Sequence, residues 1–301
     1  MVTQPIRNLA RKTIDLGAVV RGLLFPGSVA DQVARSYRKH LFGDTRLSDL
    51  PATPDFIFNA TNVQTGALWR FSRASMGDWR VGLVRNPTVD LAVAVAASSG
   101  CPPFLSPVSL HLANADYEPH SGADLQREPF TTRPLLTDGG VYDNLGLESG
   151  WKEYQTVLVS DAGGHLPPQG SPGHDWGRHT VRVLNVIDSQ VVALRKRQLI
   201  SSYEVPAQEL IHREGVYWGI RSDITSYRLP PIAGYPFTNE SCPTPRTLAL
   251  AATPTRLKSL PAALQERIIN WGYAICDVAI RKHVDQTMAT PKGFPYPTSG
   301  V

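Results

Sequence analysis

The sequence predicts an α/β layered fold, and three observations carry that prediction. Short apolar runs of strand length alternate with segments of helical periodicity. Two of the strand-like runs end on an aspartate followed closely by glycines, at Asp138-Gly139-Gly140 and at Asp161-Ala162-Gly163-Gly164. From residue 261 to about 284, Leu264, Ile268, Trp271, Ile275 and Val278 recur at helical spacing, with Ser259 placed to cap the start.

The remaining elements follow in order. The first forty residues read as helical, with Ser28 as N-cap, Ala30, Val33, Tyr37 and Leu41 on one face, and Gly43 as the end. Residues 55–60 and 67–72 read as neighbouring strands around the turn-forming residues 62–66. After Asn86-Pro87-Thr88 an alanine-rich helix runs to Ala97 and is stopped by Gly100 and Pro102-Pro103, its small side chains suited to close packing on a sheet. Residues 113–133 are polar and aperiodic, a long surface loop, and residues 163–177 are a second loop. Beyond it, residues 181–186 read as a strand, 189–201 as a helix, 215–220 as a strand and 227–243 as a proline-rich loop.

A chain of 301 residues can bury a sizeable core. It reads as one large domain over residues 1–288 with a flexible tail at 289–301. Its 42% hydrophobic and 19% charged content belong to a folding globular protein. The formal net charge of +4 is too weak to imply nucleic acid; it is compatible with an anionic lipid surface, but a plain solvated surface is the simpler explanation and is preferred. Cys101, Cys242 and Cys276 are too far apart for a C-x-x-C pair and read as reduced core residues, Cys101 as a packed thiol. No run approaches the roughly 20 apolar residues of a membrane span. Residues 14–25 are interrupted by Asp15 and Arg21 and lack a cleavage site, so no signal peptide is expected. The expected location is cytoplasmic or peripheral to a membrane, and Met1 need not be the natural start.

An Asp-Gly-Gly turn alone is common, because aspartate accepts hydrogen bonds from nearby amides and glycine supplies positive φ. What raises its weight is the order of several separate segments: Phe58-Asn59-Ala60-Thr61-Asn62 with Gly66, residues 92–99 followed by Pro102-Pro103 and Ser106-Pro107, then Asp138-Gly139-Gly140-Val141 with Asp143-Asn144. In that combination the chain resembles the patatin-like phospholipases. Residues 182–188, Tyr217-Trp218-Gly219 and the final helix are similar to bacterial members in particular. Gly100-Cys101 departs from the pattern, since a small or apolar residue and then an aromatic one are common there.

The resemblance implies a layered sheet with helices on both faces and a Ser/Asp dyad needing no metal or other cofactor. Asp138 falls at the position of the base, where it would accept the proton of a serine attacking an acyl ester. Gly139, Gly140, Asp143 and Asn144 are the supporting residues of the motif, Asp143 and Asn144 holding the loop by hydrogen bonds. The implied substrate is a phospholipid or other acyl-ester lipid, met at a membrane surface and without nucleic acid.

The serine half of the dyad is missing. In G-x-S-x-G a glycine two residues before the serine permits the strained elbow that exposes Oγ, and no serine here has a glycine at that position. The glycine-rich oxyanion loop is missing too. The chain therefore resembles the C-terminal part of the family's domain, without the nucleophile-elbow segment, and is expected to be a truncated product or one half of a split enzyme with a complementing N-terminal half. A catalytically inactive lipid-binding or regulatory module is the alternative. A metal site at Asp161 and His165, with His174 or His179, is a weaker reading, because the spacing matches no strong ligand pattern.

Overall fold

The computed structural model describes residues 3–13, 29–102, 105–254 and 257–301. The chain is a mixed α/β protein whose contacts divide it into two compact units, one reaching Ser149 and the other beginning at Gly150, with Leu257–Ser259 returning to the first. Each unit has its own apolar cluster.

In the first unit, strands β1 (Phe58–Asn62), β2 (Ala67–Phe71), β3 (Ser75–Asp78), β4 (Gly82–Arg85), β5 (Val108–Ser109) and β6 (Leu135–Asp138) form one antiparallel sheet in the order β4-β3-β2-β1-β6-β5. The turn between β1 and β2 closes through the Gly66 amide on Asn62 O at 2.8 Å, with Gly66 at φ +68°. Asp78, 2% exposed, ties the hairpins together. Its carboxylate accepts from Asn62 Nδ2 (2.8 Å), Thr65 Oγ1 (3.0 Å) and the amides of Arg80 and Val81 (2.9 Å each). Trp69 and Phe71, two residues apart on β2, stand on the same face and fill the core with Met76, Leu47 and Leu136.

Helix α1 (Thr3–Ala10) opens the described chain. Helix α2 (Val29–Tyr37) ends in a wide turn over Arg38–Phe42 closed by Gly43 at φ +58°. Ala30, Val33 and Tyr37 are buried as their spacing predicts, whereas Ser28 lies outside the described residues. Helix α3 (Leu91–Ser98) packs on β1 and β6 through Ala94 and Ala97 and on α2 through Ala92 and Ala96, the small side chains allowing the close approach.

In the second unit, β7 (Thr156–Asp161) and β8 (Glu214–Gly219) pair in parallel and are joined by a 29-residue helix, α4 (Trp176–Glu204). The strand expected at 181–186 is part of this helix. Asp175 caps its start, accepting from the Arg178 amide at 2.9 Å, and Leu184, Ile187, Val191 and Leu194 recur at helical spacing. The alternation of Val181 and Val183 is too short to outweigh that longer period. At Gly215, φ is +131° and a Cβ would stand 2.0 Å from Val157 O, so the β7–β8 approach requires glycine there.

Helix α5 (Thr244–Ala251) and the closing helix α6 (Ala262–His283) complete the unit. Trp271, Ile275 and Val278 are buried as predicted, and Trp271 Nε1 donates to Ile220 O at 2.7 Å. Ser259 does not cap α6. Pro261 holds the N-cap position in an extended conformation, and the Ser259 amide meets Thr13 Oγ1 instead. The segment after residue 288, read as a flexible tail, is packed: Phe294 joins the core and Val301 is 3% exposed. Fully buried Asn270 donates from Nδ2 to Tyr296 O (2.8 Å) and Gly300 O (2.7 Å) and accepts from the Tyr296 amide (2.9 Å). Cys101, expected to be packed, is exposed on the segment leaving α3, Cys276 is half-buried, and only Cys242 is a core thiol, its pKa pushed by burial up to about 11.

Asn270→Ala leaves the Tyr296 amide and two carbonyls without their partner. We expect a loss of about 1–3 kcal/mol in urea denaturation and loss of amide exchange protection at Tyr296.

Candidate functional site around Asp138

Asp138 is the last residue of β6, in register with Ala60 of β1. Its strand is antiparallel to both neighbours, so it does not stand at the C-terminal end of a parallel sheet, where α/β proteins usually gather their ligands. It is placed instead by a close fit among β1, β6 and the end of α3. Thr61 Oγ1 donates to Asp138 O (2.8 Å), and the amides of Asp138 and Gly139 donate to Gly100 O (3.2 Å) and Ser98 O (3.3 Å). Thr137 Oγ1 also donates to Gly100 O, at 3.1 Å.

Space requires glycine at 139 and is tight at 140. A Cβ on Gly139 would stand 2.3 Å from Asn59 O, inside any real contact, and one on Gly140 would stand 3.1 Å from Asp138 Oδ1. The Gly140 amide donates to Asp138 Oδ1 at 2.7 Å, which orients the carboxylate across the turn, and a single helical turn over Gly140–Asp143 follows.

The other two motif residues act farther along. Buried Asp143 accepts the Glu148 amide on Oδ2 at 2.7 Å, closing the loop that Gly146 turns at φ +67°. Asp143 thus holds the loop after the helical turn, while Asn144 is exposed with its side chain near Gly140. Asn59 anchors the far side of the loop by accepting Ser149 Oγ at 2.6 Å.

Two hydroxyls that the sequence did not single out face the same place. Ser99 Oγ donates to Val95 O at 2.8 Å, the usual back-bond at a helix end, and the Tyr37 hydroxyl meets Ser99 Oγ at 3.2 Å. Burial raises the Tyr37 pKa, the bond to Ser99 lowers it, and the negative charge of Asp138 raises it further. Tyr37, Ser99 and Asp138 are 62 and 39 residues apart in turn, so no local pattern announces them as neighbours. With its hydrogen committed to Val95 O, Ser99 is not poised to give a proton to Asp138.

Asp161 is held in a different arrangement, in the second unit. Its Oδ1 accepts the Gly163 amide (2.7 Å) and its Oδ2 accepts the Tyr217 hydroxyl (2.6 Å), while Lys196 Nζ stands 4.1 Å from the Tyr217 ring centroid. Burial, then Asp161, pushes the Tyr217 pKa far up. His165, His174 and His179 are all exposed, and among the described residues no group of three or more His, Cys, Asp or Glu side chains is placed to hold a metal ion. No helix among the described residues is long and apolar enough to cross a membrane.

No family model, no curated protein and no solved structure matches the chain.

Gly139→Ala forces β6 away from Asn59, at a cost of about 1–3 kcal/mol read as a lowered denaturation midpoint. Tyr37 holds its proton more tightly folded than unfolded. Its contribution to stability is therefore complete below the unfolded value near 10, and is lost as pH rises through the higher folded value. Asp138→Asn removes the negative charge and should lower the Tyr37 midpoint, followed as the phenolate absorbance step that Tyr37→Phe deletes.

Proposed function

We propose that this chain carries the acid half of a patatin-like Ser/Asp lipid acyl hydrolase, with Asp138 as the base and with its nucleophilic serine on a segment outside these 301 residues. The observation that carries the reading is the Asp138 turn: a half-buried carboxylate with Oδ1 fixed by the Gly140 amide, on a backbone that only glycine at 139 permits. A carboxylate held this way can accept the proton of an attacking serine without losing its orientation as charge moves. The order of matching segments around it supplies the patatin-like reading and the layered arrangement of sheet and helices that goes with it.

The substrate class is an acyl ester of a phospholipid or related lipid, taken at a membrane surface that the mild positive charge tolerates. A nucleophile and oxyanion donors provide most of the transition-state stabilisation in acyl transfer, so the chain by itself is a feeble hydrolase or none. The partner that restores activity is a complementing N-terminal half bearing G-x-S-x-G.

Hydrolysis of a short-chain p-nitrophenyl ester tests this directly. The 301-residue chain should turn over no faster than its Asp138→Asn variant. Joined to the in-frame segment that encodes G-x-S-x-G, it should gain turnover, and Asp138→Asn should then cost on the order of a thousandfold or more in kcat. Turnover by the 301-residue chain that Asp138→Asn abolishes would show that the nucleophile is already present. A completed protein indifferent to Asp138→Asn, or an upstream stop with no such segment, would favour a lipid-binding or regulatory module.

A further inference from the structure

Among the described residues, strand β7 is bonded on one side only, to β8. The Glu214 amide donates to Gln155 O (2.9 Å) and the Ile220 amide to Asp161 O (2.8 Å), so at both ends of the pair the odd-numbered residues turn toward β8. Direction alternates along a parallel pair, so Thr156, Leu158 and Ser160 turn their N–H and C=O groups to the opposite side. Among the described residues no hydrogen bond meets those groups.

The side chains of the same three residues are exposed, Leu158 at 47%. No proline or charged residue interrupts Thr156-Val157-Leu158-Val159-Ser160, although those are the usual guards of a free strand edge. The outer edge of β8 is different, because the chain itself covers it. The Gly219 amide donates to Ser222 Oγ (2.9 Å), and Tyr217 O accepts the Tyr227 hydroxyl (3.1 Å).

We propose that the free edge of β7 docks a second copy of this chain, β7 against β7 antiparallel across a two-fold axis at Leu158, making one four-stranded sheet. The edge is complementary to itself. In an antiparallel pair, residues at alternate positions face each other and exchange both backbone bonds. With Leu158 opposite Leu158 of the second copy, Thr156 faces Ser160 and Ser160 faces Thr156, so each outward N–H and C=O meets a partner.

Over residues 156–160 the cross-strand pairs are then one leucine pair, two threonine–serine pairs and two valine–valine pairs, with no like charges opposed. A two-fold contact doubles the two parallel strands to four. The second unit leaves further apolar surface in water on α4, where Leu184, Ile187 and Leu194 are each more than half exposed, as monomers seldom do.

Sedimentation equilibrium of the whole chain, with circular dichroism and thermal melting as controls, tests the proposal. The unmodified chain should be dimeric. Leu158→Lys sets two ammonium groups against each other across the axis and should weaken the dimer at least tenfold, with the spectrum and melting of the monomer unchanged. The double variants Thr156→Lys/Ser160→Lys and Thr156→Asp/Ser160→Asp should each be monomeric alone and should form a dimer when mixed. A chain that stays monomeric at tens of micromolar overturns the proposal, as does a dimer indifferent to Leu158→Lys, an open-ended assembly, or charge variants that fail to recombine.

Discussion

The close approach of Gly139 to the carbonyl of Asn59 is the constraint on which the Asp138 turn depends. β1 and β6 can keep their register only if the backbone at residue 139 lies against Asn59, and any side chain there would occupy the same space as that carbonyl. Given that contact, the other features follow. The Asp138 and Gly139 amides reach the end of α3, the Gly140 amide reaches the carboxylate, and the single helical turn after it leads into the loop closed by Asp143. The carboxylate is thus aimed by backbone geometry, which rotates far less freely than a side chain does.

The first unit supports that contact with two kinds of packing. Asp78, buried and fully engaged, converts the β1–β2 and β3–β4 turns into one hydrogen-bonded corner, so its burial is offset by charge-assisted bonds. The alanines of α3 let that helix lie close against β1 and β6, which brings Gly100 O and Ser98 O within reach of the turn. A bulkier helix would hold those carbonyls away.

The second unit spends its polar groups differently. Asn270 ties the chain terminus to α6, and Arg281, almost completely buried, binds Asp277 and donates to the carbonyls of Met288 and Ala289. One end of the unit is therefore closed, while its β7 edge and part of α4 remain open to water. That asymmetry sets the edge of β7 apart as a place for another strand.

The sequence by itself determined the elements whose signals are local. The hairpin around Gly66, the alanine-rich helix, the period of α6 and the Asp-Gly-Gly turn all rest on residues within one or two turns of each other. It was less able to decide between strand and helix at residues 181–186, where a few alternating valines sit inside a longer helical repeat and the Asp175 cap tips the balance. The packed tail, the exposed thiol of Cys101 and the meeting of Tyr37, Ser99 and Asp138 were settled only by the tertiary structure. Each depends on contacts between residues tens of positions apart, and such contacts are selected by how whole elements pack, a property no short window of sequence contains.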